Sequence, residues 1–348
     1  MTGIGADASA ATITILGTGS YLPRRVVGNE EIAQRTGADV EWIERKTQIK
    51  ARRYAAEDEA TSDLAARAGA RALANAGLRA GEIDYLLVAT STGDSPQPPT
   101  ACLVQDLIGA HRAACLDLNA VCSGFVYALA LARGLIAAEP TAKVLVIAAD
   151  LYSRSLDFDD RRTAVLLGDG AGAAVVAAAP AARGGIVGID LVTRGEGRDL
   201  IQVTAGGSRL PASHQTVDEG GHFFRMQGRA VSAFVLDNVP GVIAGLLERC
   251  GSKADEVAHF IPHSANGVLV EQLVDRAGLS AAQLHRTLEH YGNVGSASVA
   301  VSLDAANASG ALRDGDLVLL TAFGGGMAVG ACLIDWKRPR TPRTGGLR

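Results

Sequence analysis

The sequence predicts an α/β fold built from a duplicated unit, with mixed sheets covered by helices. Three observations carry that expectation. Of 348 residues, 48% are hydrophobic and 20% charged, enough apolar surface for a large core and too much for disorder. Glycine is plentiful and proline is not, 41 against 11, as in chains with many tight strand-to-helix turns. Apolar strand-like runs also recur at a fixed interval. Ile83–Ala89 and Glu256–Pro262 begin 173 residues apart (83 to 256), and Lys143–Ala149 and Asp316–Ala322 repeat that interval (143 to 316). The length exceeds the usual ceiling for one undivided core, which suits two halves.

Each element follows from its local pattern. Thr61–Ala76 reads as a helix before the strand Ile83–Ala89, and Pro99–Gly109 as the helix after it. Cys115–Val121 is an apolar strand, Ser123–Ala138 a helix, Lys143–Ala149 a strand, and the small-residue run Ala171–Ala179 closes the first half. The second half repeats this with Gly228–Cys250, Glu256–Pro262, Ala265–Gly278, Ala297–Leu312, Asp316–Ala322 and Met327–Trp336. Continuous Val/Leu/Ile strands alternating with helices indicate sheets covered on both faces. The halves are predicted at 11–182 and 183–338, followed by a basic tail, 339–348, read as a solvated end. Two unrelated α/β domains of similar size are the competing arrangement.

Two stretches leave the repeat. Tyr21–Tyr54 carries Trp42 and a basic cluster of Arg45, Lys46, Lys50, Arg52 and Arg53. Val192–Gln227 is a long excursion rich in Gly, Ser and Thr, of the kind that forms lids or tunnel walls.

Composition excludes several functions. A net charge of −4 gives no basic field for nucleic acid or anionic membrane, and 4% aromatics give no stacking platform for single strands. Five cysteines without a C-x-x-C spacing make neither a disulfide framework nor a zinc site, so no metal is expected. Met1–Ala11 lacks a basic segment leading into an apolar core, so no secretory signal is expected there. No uninterrupted apolar run approaches the roughly 18 residues of a membrane span. The expectation is a soluble protein of a reducing, cytoplasmic compartment.

Applied to polar residues, the interval singles out a site. Cys122 opens the helix after an apolar strand, and its counterpart is Gly295, in the turn Tyr291-Gly-Asn-Val-Gly. His263 stands just past the strand ending at Pro262, with Thr90 as its counterpart. Cys122, His263 and Asn293 therefore all fall at strand carboxyl ends or helix starts, which a pseudo-twofold axis brings to one seam, where open α/β sheets bind ligands. Unpaired N–H groups and the helix dipole at such a start are expected to favour the Cys122 thiolate. The other four cysteines lie in apolar patterns and read as structural. A lone histidine or a lone turn asparagine is more often structural than catalytic. Together, His263 and Asn293 make a two-donor clamp for an oxyanion. Gly324–Gly326 reads equally as a tight hairpin turn or as a source of free N–H groups.

These residues resemble a known family. Asp117-Leu-Asn-Ala-Val-Cys-Ser-Gly-Phe-Val-Tyr-Ala128, Pro262-His-Ser-Ala-Asn266, Gly292-Asn-Val-Gly-Ser-Ala-Ser298 and Ala322-Phe-Gly-Gly-Gly326 are similar to β-ketoacyl-acyl-carrier-protein synthase III. Glu41-Trp-Ile43 and Leu167-Gly-Asp-Gly-Ala-Gly-Ala173 join them, so the likeness spans residues 12–336. It implies a thiolase fold of duplicated halves in layers α-β-α-β-α, a homodimer, and a decarboxylative condensation in fatty acid or specialised metabolism that needs no cofactor. By the same resemblance acyl-CoA acylates Cys122, with the N–H groups of Cys122 and Gly325 as the oxyanion hole. A malonyl thioester, on CoA or acyl-carrier protein, then loses CO₂ under His263 and Asn293, and acylation does not require that pair. Trp42, Lys46 and Arg161 match positions around the CoA adenine, and Asn266 one near the pantetheine arm. Gln97 matches the residue through which the neighbouring subunit closes the acyl pocket.

Four positions depart from the family pattern. Ser264 stands where glutamine is usual, and Lys46 where arginine is, which keeps phosphate attraction and loses planar stacking. Val268 replaces a common carrier-docking basic residue and Gln97 a common aromatic, which leaves carrier use and primer open. The alternative activity is transfer of the acyl group to an alcohol or amine without decarboxylation, and Asn293 weighs against it, because simple transfer needs no second donor.

Overall fold

The computed structural model describes residues 12–179 and 184–338. The segment read for a secretory signal, the boundary expected at 182/183 and the basic tail 339–348 lie outside the described residues.

Two five-stranded sheets carry the fold. The first holds β1 (Thr12–Tyr21), β2 (Tyr85–Ala89), β3 (Ala114–Leu118), β4 (Lys143–Leu151) and β5 (Asp169–Ala179), in the order β1-β5-β4-β2-β3. The second holds β6 (Gly185–Thr193), β7 (His259–Pro262), β8 (Gln283–Leu284), β9 (Leu317–Gly324) and β10 (Ala328–Asp335), in the order β6-β10-β9-β7-β8. Strand for strand, the second order repeats the first. In each sheet the pairs at one edge are parallel, β4-β2-β3 and β9-β7-β8, and those at the other edge are antiparallel, β1-β5-β4 and β6-β10-β9. The duplication inferred from spacing is therefore present in the topology.

Helices complete five layers. We label Val40–Thr47 α1, Thr61–Ala76 α2, Thr100–Ile108 α3, Gly124–Ala138 α4, Gly228–Arg249 α5, Gly267–Arg276 α6 and Ala297–Ala308 α7. α4 and α7 each touch both sheets and each other, forming the central layer around Phe125, Leu129, Val299 and Leu303. α2 and α3 cover the outer face of the first sheet, and α5 and α6 that of the second. α4 with its preceding turn, and α5, do reach the length and mean hydropathy of a membrane crossing (18 and 22 residues, each 1.7). Their apolar faces pack on the sheets, which accounts for the composition without a bilayer.

The two excursions are structured. Arg25–Gly28 pairs with Ala51–Tyr54, and Ile201–Gln202 with Arg225–Met226. The basic cluster expected in the first is dispersed: Arg52 is wholly buried and donates to Asn29 Oδ1 (2.8 Å) and the Val165 carbonyl (2.7 Å), while Lys50 pairs with Glu289 at 2.6 Å.

Candidate active site

The chain enters α4 through a short 3-10 turn, Val121–Ser123, on which Cys122 is buried. Val121 has φ +45°, a left-handed conformation rare for a β-branched residue, so the backbone turns sharply just before the cysteine. Such strain, of order 1–3 kcal/mol, persists only where neighbours fix it. The β9–β10 hairpin does so. A Cβ on Gly324 would stand 2.6 Å from Cys122 Cβ and 3.1 Å from its Sγ, so only glycine fits there. Ser123 Oγ donates to the Ala328 carbonyl at 3.0 Å, tying the turn to β10. Gly324–Gly326 is thus both a hairpin turn and the wall of the cysteine's seat.

The expected thiolate needs correcting. Burial pushes the Cys122 thiol well above its usual range, and the carboxylate of Asp150 adds to the shift. Desolvation is the largest cause, ahead of the backbone N–H that acts the other way, and the resting group is a thiol.

His263 leaves the end of β7, donating its backbone N–H to the Thr321 carbonyl at 2.7 Å. Its ring stands edge-on to Phe323, centroids 5.3 Å apart at 77°. Only 1% of it is exposed, and Nδ1 has no hydrogen-bond partner among the described residues. Burial lowers its pKa to about 3, so the ring is neutral and keeps one N–H to donate at any ordinary pH. A flat pH profile for His263-dependent chemistry from about pH 5 to 8 is expected in steady-state rates. The sign for stability is set the same way. An unfolded histidine, with pKa about 6.5, takes a proton that the folded one refuses, so folding weakens as pH falls from about 6.5 towards 3. His263→Gln is expected to lose less stability than the parent between pH 7.5 and 5 in urea denaturation; equal losses would contradict a neutral buried ring.

Asn293 is fixed on three sides. Its N–H donates to the Leu166 carbonyl and its own carbonyl accepts from Gly168 N–H, both at 2.9 Å. Its side-chain Oδ1 accepts from Gly295 N–H at 2.9 Å, which leaves the Nδ2 amide as the end available to a ligand. Phe323 and Gly324, consecutive on β9, touch His263 and Cys122 respectively, so the two meet at one strand end, with Asn293 reaching the seam from the turn before α7.

Asn293 also lines a cavity of about 360 Å³, together with Trp42, Lys46, Asn266 and Val268. The Arg161 guanidinium lies over the Trp42 ring, 5.5 Å from its centroid. Asn266 caps α6, accepting from Leu269 N–H at 3.2 Å and donating to the Lys46 carbonyl at 2.9 Å, so its amide is committed to holding α1 against α6. Gln97 is exposed in the loop before α3 and does not line this cavity. Sequence reasoning missed Val121, Phe323 and Asp150. The 173-residue interval held a signal for two of them, since it pairs Asp150 with Phe323.

The chain matches the family model for 3-oxoacyl-[acyl-carrier-protein] synthase III over residues 116–195, and the model of its C-terminal part over 247–336. It is 41% identical to the β-ketoacyl-[acyl-carrier-protein] synthase III of Caldanaerobacter subterraneus, over 93% of this chain and 98% of that one. The chain belongs to the β-ketoacyl-acyl-carrier-protein synthase III family. A crystal structure of synthase III from Aquifex aeolicus superposes with a TM-score of 0.85 at 34% identity, covering 94% of this chain and all of the other. The thiolase fold implied by the motifs is therefore the fold of this synthase III chain. A further relative, 48% identical over 92% of this chain and 98% of its own, is an acetoacetyl-CoA synthase of a Streptomyces species. As a synthase III, the chain is a decarboxylative condensing enzyme.

Proposed function

We propose that this enzyme condenses a short acyl-CoA primer with malonyl-CoA and releases a β-ketoacyl-CoA, acetoacetyl-CoA when the primer is acetyl-CoA. The observation that carries the reading is that Val268 lines the Trp42–Lys46–Asn266 cavity, at a position where the family resemblance implies a basic residue that docks an acidic carrier. The likeness to an acetoacetyl-CoA synthase supports it.

In this reading Cys122 Sγ attacks the acyl carbonyl of the primer, the C–S bond to CoA breaks, and the thiol proton leaves with CoA. The Cys122 and Gly325 N–H groups, which meet no acceptor among the described residues, would hold the tetrahedral oxyanion. Malonyl-CoA then enters, with Trp42, Arg161 and Lys46 around its adenine and phosphates and Asn266 beside the pantetheine arm. CO₂ leaves, the neutral His263 and the Asn293 amide donate to the thioester enolate, and its carbon attacks the acyl-cysteine. Cys122 departs as thiolate and is reprotonated. The enzyme acts as a homodimer: β3 is an edge strand with Leu116 38% exposed, a surface for a second copy, and exposed Gln97 would reach the neighbouring acyl pocket.

The decisive assay follows ¹⁴CO₂ from carboxyl-labelled malonyl-CoA and the β-ketoacyl product by mass spectrometry. A rim charge changes encounter rate and salt dependence more than chemistry. Val268→Arg is therefore expected to raise kcat/KM for carrier-bound malonate while leaving malonyl-CoA nearly unchanged. Strong preference of the parent for the carrier-bound form at physiological salt, or equal gains on both extenders, would overturn the choice of extender.

A further inference from the structure

Asp150, the penultimate residue of β4, is wholly buried, and no arginine or lysine pairs with it among the described residues. A carboxylate so placed is costly unless donors surround it. Five do. Oδ1 accepts from Ser91 N–H (2.9 Å), Ser91 Oγ (3.0 Å), Thr92 Oγ1 (3.1 Å) and, at 3.4 Å, Thr90 Oγ1, and Oδ2 from Ser296 N–H at 2.7 Å. The first four donors belong to the loop after β2, in the first half. The last is at the start of α7, in the second half, where the helix dipole favours an anion.

The internal repeat shows what this carboxylate replaces. The interval of 173 pairs Cys122 with Gly295 and Asp150 with Phe323. At the start of α4 the facing strand end offers Phe323 and Gly324, and leaves the Cys122 N–H without a protein acceptor. At the start of α7 the equivalent strand end offers Asp150, which fills the matching position: a Cβ on Gly295 would run into its Oδ2 and the Tyr152 ring. One helix start is kept for a ligand and the other is plugged. The plugged one carries Asn293, whose Oδ1 accepts from the N–H of Gly295, the residue that Asp150 packs against.

We propose that Asp150 is a positioning residue for Asn293: its carboxylate bolts the 293–296 turn to the Ser91–Thr92 loop and so aims the Asn293 amide at the enolate. The inference rests on the condensation described above, and it separates the two half-reactions. Asp150→Asn keeps the shape but turns an NH₂ group towards N–H donors that need an acceptor. Misplacement of a catalytic group by about 1 Å costs on the order of 100-fold. With Asp150→Asn, acylation of Cys122 by labelled acetyl-CoA is expected not to fall, because loss of the charge that raises the thiol favours it, while kcat for CO₂ release falls on the order of 10- to 100-fold at nearly constant KM for malonyl-CoA. Unchanged CO₂ release, or equal losses in acylation and decarboxylation by a variant of parental melting temperature, would overturn the proposal. If Asp150→Asn does not fold, Thr92→Val removes one donor from the other side of the bolt and is expected to lower the same kcat by a few fold without touching acylation; loss confined to acylation would overturn it equally. Absence of any condensation by the parent enzyme would instead refute the functional reading itself.

Discussion

Cys122→Ala is expected to abolish transfer of labelled acyl groups from acyl-CoA to the protein, and Cys122→Ser to lower it by at least a factor of about 10⁴, the scale of losing a nucleophile. Of the five cysteines, Cys332 is buried but sits mid-strand in β10, Cys102 is exposed, Cys115 is half-buried on the edge strand β3, and Cys250, although it packs on Gly188, ends α5 rather than beginning a helix. Only Cys122 combines a strained preceding residue, a helix start and a glycine wall. Intact-mass spectrometry after incubation with acetyl-CoA reads the result directly. Stable acylation of Cys122→Ala at another residue would refute the assignment.

The second large effect divides the two half-reactions. His263→Ala and Asn293→Ala are each expected to lower malonyl-CoA decarboxylation by on the order of 10²–10³, the usual cost of one oxyanion donor. Acylation should stay within about 10-fold of the parent. The geometry supports the division, because a ring with pKa about 3 is a poor base for a thiol held above its usual range, but a good neutral donor. Rapid-quench acylation and ¹⁴CO₂ release, measured on the same preparations, separate the steps. Equal losses in both would show that the pair serves the thiol as well.

Much of this architecture was legible because it is written in periodicity. Apolar strands at a constant interval foretold two halves, and the observed strand orders repeat each other. Cys122, His263 and Asn293 were legible for a related reason: His263 follows a strand end, and Cys122 and Asn293 stand where a helix is about to start. What stayed hidden depends on contacts between halves. The positive φ of Val121 has no local signature, since valine is the wrong residue for it, and only the packed hairpin enforces it. Asp150, one residue past Lys143–Ala149, has no local signature, because its donors come from positions 90, 91, 92 and 296. The thiol's protonation was misjudged because a sequence displays the helix start but not the depth of burial. The burial of Arg52 within its basic cluster was hidden in the same way.

The crossed seam bears on the order of events in folding. Cys122 is seated by β9 of the opposite half, and the Asn293 turn by β4 of its opposite half, through contacts spanning well over a hundred residues. Contacts so distant in sequence close late, after each half has formed its own sheet. Neither half alone can carry a finished site, and a nascent chain remains inert until its last strands have docked.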